Sequence, residues 1–137
     1  MAETIRLVDY FYTEAPDKPG EGARALAALK EAGVNLLAFS GFPKGRRSQL
    51  DFVPADVAAF KAVAKQQRWK LVGPKKGFLV QGDDRPGAVA DLLGTLAGAK
   101  INVTATDAIC AGADRYGVIF WVKQRDVKRA VKALGIG

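Results

Sequence analysis

The fold of this 137-residue chain is decided by the stretch Gly82-Asp83-Asp84-Arg85-Pro86-Gly87. An apolar run, 77–81, precedes it, and an amphipathic segment, 88–96, follows it. Pro86 fixes φ and lacks the N–H that a first helical turn leaves unpaired, while Gly87 permits a close backbone approach. The hexapeptide is therefore predicted to be a turn that leads from a β-strand into the N-terminus of an α-helix.

A second copy of this turn lies near the N-terminus, at Pro16-Asp17-Lys18-Pro19-Gly20. The two copies belong to a longer repeat, in which matching residues stand 67 positions apart: Asp17 with Asp84, Pro19 with Pro86, Gly20 with Gly87, Leu26 with Leu93, Leu29 with Leu96 and Asn35 with Asn102. The chain is therefore expected to contain two related units, at 1–73 and 74–137.

Hydrophobic periodicity gives each unit the same order of elements. The first unit shows strands at 5–12, 34–40, 48–53 and 69–72, helices at 21–32 and after Asp56, and a basic loop at 41–47. After a break at 73–76, the second unit shows strands at 77–81, 101–108 and 116–122 and helices at 88–97 and 125–134. The predicted fold is α+β, with two ferredoxin-like βαββαβ units, antiparallel sheets and helices on one face.

The second unit is expected to lack its last strand, because the position equivalent to Trp69 would fall beyond Gly137. A missing last strand leaves an exposed sheet edge, which residues 69–72 or a partner chain are expected to cover. The predicted strand 116–122 is apolar on both faces, so the other unit or a second chain is expected to cover its second face. Both features predict a homodimer.

Composition limits the chemistry of the chain. The formal net charge is +7, there is no His, and Cys110 is the single cysteine. Without His, Ser-His-Asp and Cys-His nucleophiles and His-based metal sites are excluded, and the carboxylates are not clustered. The sequence therefore predicts a protein that is not an enzyme and that has no metal and no cofactor. Cys110 is expected to be a small core residue.

Location is predicted from the same residues. A single cysteine suits a reducing compartment, the first residues lack the apolar run of a signal peptide, and no apolar stretch approaches the ~18 residues that span a bilayer. The chain is therefore expected to be cytoplasmic and to have no membrane partner.

The repeated pattern resembles the ACT domain, a ferredoxin-like regulatory module that binds amino acids in many biosynthetic enzymes and regulators. The pattern is a strand, an Asp-x-Pro-Gly turn, a Leu-striped helix and a following Asn, and it spans nearly the whole chain. The resemblance implies a small regulatory protein with an amino acid or close derivative as ligand, a homodimeric state, and a metabolic enzyme or regulator as partner. It places the ligand between units, on Asp84, Arg85, Pro86, Gly87, Ala88 and Asn102, and in the first unit on Asp17, Pro19, Gly20 and Asn35. The first unit departs from the pattern, because Gly22 stands where the second unit has Val89.

The turn at 82–87 also suits an amino acid chemically. N–H groups at a helix N-terminus favour a carboxylate, whereas Asp83 and Asp84 beside the same turn suit an ammonium group. Asn102 offers both a donor and an acceptor. The alternative is structural: Asp17 and Asp84 would act only as helix N-caps, and Asn35 and Asn102 would only complete turns.

Three other functions remain open on sequence grounds. A basic ferredoxin-like fold also suits nucleic acid, and residues 115–120 resemble the aromatic strand motif of an RNA-recognition module, without its Gly after the basic residue. Val80-Gln81-Gly82 resembles the phosphate loop of acylphosphatases, but two aspartates follow where an apolar residue and an Arg are needed. The third alternative is a protein-interaction module without a ligand.

Overall fold

The computed structural model describes residues 3–136, and their contacts form two compact units. The N-terminal unit is Asp9–Lys75, and the C-terminal unit combines residues 3–8 with residues 76–136. This division differs from the expected units 1–73 and 74–137 because the start of the first strand joins the C-terminal unit. The elements are β1 (Thr4–Pro16), α1 (Glu21–Glu31), β2 (Leu36–Lys44), β3 (Arg47–Pro54), α2 (Val57–Gln66), β4 (Val72–Asp83), α3 (Ala88–Gly98), β5 (Val103–Gly112), β6 (Arg115–Val122), a 3₁₀ turn (Gln124–Asp126) and α4 (Val127–Ala133).

The N-terminal unit is a sheet with the strand order β2-β3-β1-β4 and with α1 and α2 packed on one face. Its aromatic core is dense, since the ring of Phe60 lies 5.2 Å from the rings of both Phe11 and Phe52. Trp69, which follows α2, stacks on Phe52 at 5.5 Å. The Asp56 side chain caps α2 by accepting a hydrogen bond from the N–H of Ala59, as the sequence pattern indicates.

The C-terminal unit repeats this plan with the strand order β1-β4-β6-β5 and with α3 and α4 on one face. Its core centres on the stacked rings of Phe78 and Phe120, 4.8 Å apart. Ile119 and Trp121 alternate with the core residues of β6 and are only 7% exposed, so β6 is buried on both faces. The prediction of α+β ferredoxin-like units with antiparallel strands is confirmed.

The edge of the C-terminal unit is covered by the chain itself. Among residues 3–136, no strand follows α4, and the place beside β4 is occupied by residues 4–8 of β1. The hydroxyl of Thr4 donates a hydrogen bond to the carbonyl of Gln81, 3.4 Å away, and Ile5 packs on the core of this unit. The expectation that residues 69–72 or a partner chain cover this edge is therefore wrong.

Two further corrections concern strand ends. The predicted break at 73–76 lies inside β4, and the predicted strand at 69–72 begins only at Val72. The basic segment 41–47 is mostly strand, because β2 runs to Lys44 and β3 begins at Arg47. Gly and Pro in these segments indicate loops, but the pairing partners keep them extended, as where Lys44 lies opposite Arg47.

Candidate ligand-binding site

The turn at 82–87 and the strand β5 border a cavity of about 230 Å³ in the C-terminal unit. The turn supplies Asp84, Arg85 and Gly87, the first residues of α3 follow it, and β5 supplies the opposite wall. The full lining is Asp84, Arg85, Gly87, Ala88, Val89, Ala90, Ala108, Ile109, Cys110 and Tyr116. Four of the predicted site residues therefore meet in one place.

The turn is held against the β5–β6 hairpin by its backbone. The N–H of Asp84 donates to the carbonyl of Asp114 at 2.7 Å, and Asp114 lies in the turn that joins β5 to β6. Beside it, the guanidinium of Arg115 donates to the Asp83 carboxylate at 2.8 Å. This ion pair occupies the Asp83 carboxylate, so Asp84 is the better partner for a ligand cation.

Helix α3 begins without a side-chain cap. Gly87 is its N-cap, with φ 82°, and among the described residues no side chain accepts from its first N–H groups. The suggestion that Asp84 is only an N-cap is therefore wrong, and the same holds for Asp17, because Gly20 caps α1 with φ 94°. An uncapped helix N-terminus keeps N–H groups and a partial positive charge for an anion.

Charged side chains surround the mouth of the cavity. Arg85 pairs with Asp91 of α3 at 2.7 Å, and both side chains are more than half exposed. The sulfur of Cys110 lies 3.4 Å from a carboxylate oxygen of Asp84. The Asp84 carboxylate accepts from this thiol and repels its thiolate, and both effects raise the pKa of Cys110.

Tyr116 forms the floor beside the turn and is 5% exposed. Its hydroxyl donates to the carboxylate of Glu3, and burial first, then this hydrogen bond, raises the pKa of Tyr116 to about 12. Tyr116 and Phe120 both pack in the core of the C-terminal unit. Because these rings are buried, they do not offer the stacking surface that an RNA-recognition strand requires.

Pro86 and Asn102 do not line the cavity. Pro86 is exposed in the turn, whereas the lining residue Ala88 is buried. Asn102 is exposed just before β5, at the far end of α3, whose eleven residues rise about 16 Å. The structure therefore does not bring Asn102 to the turn of its own unit, since the eleven residues of α3 separate them.

The turn at 16–20, in the N-terminal unit, has different neighbours. The hydroxyl of Ser48 donates to the Asp17 carboxylate at 3.0 Å. A Cβ at Gly22 would meet no atom within 4 Å, whereas Val89 packs on the core of its unit. Pro19 is exposed beside Gly20, and Asn35 is exposed before β2, at the other end of α1.

The sequence prediction missed the β5 wall of the cavity. Cys110 is exposed instead of lying in the core, and Ile109 is 73% exposed. Only the pairing of β5 with β6 shows that Cys110 lies opposite Tyr116. Among residues 3–136, no three Cys, Asp or Glu side chains form a metal-binding group, and no helix is long and apolar enough to cross a membrane.

No protein-family model matches the chain, and no curated protein matches it. Solved structures do match. Protein BT0572 from Bacteroides thetaiotaomicron is 15% identical with a TM-score of 0.81, over 96% of this chain and 88% of that one. The ligand-free regulatory subunit of aspartate kinase from Thermus thermophilus is 17% identical with a TM-score of 0.68, over 98% of this chain and 95% of that one.

The regulatory subunit of aspartate kinase from Thermus flavus is 19% identical with a TM-score of 0.61, over 98% of this chain and 95% of that one. These aspartate kinase subunits are ACT-domain proteins. The chain has the tandem ACT fold. The tandem ACT prediction made from the repeated turn is thereby confirmed for the fold.

Proposed function

We propose that this tandem ACT chain is a regulatory protein that binds a free amino acid, or a close derivative, in the cavity beside residues 82–87. The cavity joins the uncapped N-terminus of α3 to the carboxylate of Asp84. The helix N–H groups suit the ligand carboxylate, and Asp84 suits its ammonium group. The juxtaposition of these opposite partners at one cavity is the observation that carries the proposal.

The size and walls of the cavity fit a small ligand. About 230 Å³ is below the ~300–1,000 Å³ of drug-sized sites, which favours a molecule as small as an amino acid. Ala108 and Ile109 provide an apolar wall for its side chain. The shared fold with regulatory subunits of aspartate kinase supports a role in control of amino-acid metabolism instead of catalysis.

We further propose that the chain is a homodimer and that β5 contributes to the interface. β5 is the edge strand of the C-terminal unit, and nine of its ten residues are exposed. An exposed strand of this length is a template for pairing with another chain. Because Ala108, Ile109 and Cys110 line the cavity, a second chain beside β5 would close it over the ligand.

A thermal-shift screen of the twenty amino acids tests the ligand proposal. A ligand at a hundredfold excess over its Kd should raise the free energy of unfolding by ~2.7 kcal/mol. Asp84→Ala should remove the shift, because it deletes the partner of the ligand's ammonium group. Asp17→Ala, at the matching position of the N-terminal unit, is the control and should retain it.

The proposal fails if no amino acid or close derivative changes the melting temperature. It also fails for this cavity if Asp17→Ala removes the shift while Asp84→Ala preserves it. If no compound changes the melting temperature, the chain would be an interaction module without a ligand. If only Asp17→Ala removes the shift, the ligand would bind at the turn 16–20 of the N-terminal unit.

A further inference from the structure

A second cleft, of about 590 Å³, lies in the N-terminal unit. It forms where the end of β1 meets the residues that follow α2. Its lining is Tyr12, Thr13, Glu14, Arg47, Arg68, Trp69, Lys70 and Val72. The volume lies within the ~300–1,000 Å³ of small-molecule sites, and the lining combines cations with aromatic rings.

The charges of this cleft are unbalanced. Glu14 is its one lining carboxylate, and it already pairs with Lys44 at 3.3 Å and Arg47 at 3.5 Å. Among residues 3–136, neither Arg68 nor Lys70 has a carboxylate oxygen within 4.0 Å of its charged nitrogens. The cleft therefore presents more positive charge than its own residues neutralise.

More cations border the same region. The ammonium groups of Lys75 and Lys44 lie 5.3 Å and 5.7 Å from the centre of the Tyr12 ring. These cation–π contacts hold both ammonium groups near one wall of the cleft. A ligand in the cleft would thus meet positive charge from β2, β3, β4 and the chain after α2, and this charge favours a ligand with more than one negative charge.

Arg68 occupies a backbone position that favours glycine. It ends α2 with φ 59°, and its N–H and that of Trp69 donate to the carbonyls of Lys65 and Ala64. Gly135, with φ 69°, ends α4 with the same pattern of hydrogen bonds. A non-glycine residue in this left-handed conformation costs free energy, and glycine would not. Arg68 lines the cleft from this position despite that cost.

We propose that this cleft binds an organic phosphate of nucleotide size. Guanidinium groups match phosphate oxygens in bidentate geometry, and Arg47 and Arg68 both line the cleft. Trp69 and Tyr12 provide an aromatic wall for a planar base. A bare inorganic anion would leave most of the 590 Å³ empty, so the organic part contributes to binding.

Isothermal titration calorimetry with ATP, ADP, AMP and inorganic phosphate tests this proposal on the full chain. At least one nucleotide should bind, and inorganic phosphate should bind at least tenfold more weakly. Arg68→Gly should lower nucleotide affinity at least tenfold without lowering the melting temperature, because glycine suits φ 59°. Lys70→Gln should weaken binding as well, since it removes a second unpaired cation.

Lys100→Gly is the matched control. Lys100 also lies at φ 61° after a helix, so this variant removes the same charge and relieves the same conformation, but in the C-terminal unit. It should bind nucleotide like the unaltered chain. Absence of binding by all three nucleotides, equal affinity for inorganic phosphate, or equal losses in Arg68→Gly and Lys100→Gly would each overturn the proposal.

Discussion

The sulfur of Cys110 lies 3.4 Å from a carboxylate oxygen of Asp84, so that β5 and the turn before α3 meet at the mouth of the cavity. The contact joins an exposed thiol to an exposed carboxylate. Hydrogen bonding and charge from Asp84 raise the pKa of Cys110, which keeps the thiol protonated at neutral pH. The thiol is therefore a reporter of what happens at the cavity.

Asp84→Asn is expected to speed the reaction of Cys110 with a chromogenic disulfide reagent at pH 8. The thiolate is the reacting form, and removal of the carboxylate lowers the thiol pKa. An amino acid that binds the cavity should slow the same reaction in the unaltered chain. Asp17→Asn, whose carboxylate accepts from Ser48 in the other unit, should leave the rate unchanged. Equal rates in the two variants would contradict the role of Asp84.

Gly82→Ala is expected to destabilise the chain by about 1–3 kcal/mol, the usual cost of overpacking. A Cβ at Gly82 would lie 2.7 Å from the Cβ of Glu3 and 2.8 Å from a ring carbon of Tyr116. Denaturant unfolding measures the change. Gly94→Ala is the control, because a Cβ there meets nothing within 4 Å and a helix interior gains ~0.5–1 kcal/mol from alanine. An unchanged midpoint in Gly82→Ala would show that residues 3–8 do not hold this edge.

Local features of the fold could be predicted from the sequence. The turn at 82–87, the helix after it and the cap at Asp56 depend on neighbouring residues, so short-range rules suffice for them. The strand that covers the edge of the C-terminal unit could not be predicted, because β1 contributes residues to both units. Which strand pairs with which is decided by tertiary packing and not by the composition of residues 4–8.

Of the candidate site, only the residues of the turn at 82–87 and the start of α3 could be predicted from the sequence. Asn102 was grouped with Asp84 because the two recur together in the repeat, but recurrence says nothing about distance, and α3 separates them. Cys110 and Tyr116 enter the cavity through the pairing of β5 with β6. That register follows from the hairpin turn at Ala113 and Asp114, which both have positive φ, and from the register shift between Cys110 and Gly112.

Asp51→Asn is expected to stabilise the chain at pH 7 and to have less effect at pH 3. Asp51 is 7% exposed, and its burial raises the pKa of its carboxyl despite a hydrogen bond from Gln49. The folded chain therefore holds this proton to higher pH than the unfolded chain does, so the free energy of unfolding falls as pH rises through that interval. Asn stays neutral and avoids this loss.

Thermal unfolding of both chains between pH 3 and pH 7 measures this difference. Asp56→Asn is the control for loss of a carboxylate, because Asn also caps a helix. A stability gain in Asp51→Asn that is as large at pH 3 as at pH 7 would contradict a charge effect and would indicate a change in packing.

Ile109→Lys is expected to convert the proposed homodimer into a monomer. Ile109 is 73% exposed on the edge strand β5, and a lysine on an edge strand opposes pairing with a second copy. Sedimentation should then give 14.6 kDa, the mass of one chain. Leu37→Lys is the matched control on β2, the edge strand of the N-terminal unit, and should remain dimeric. If only Leu37→Lys dissociates, the chains pair through β2, and the cavity beside Cys110 is not closed by a second chain.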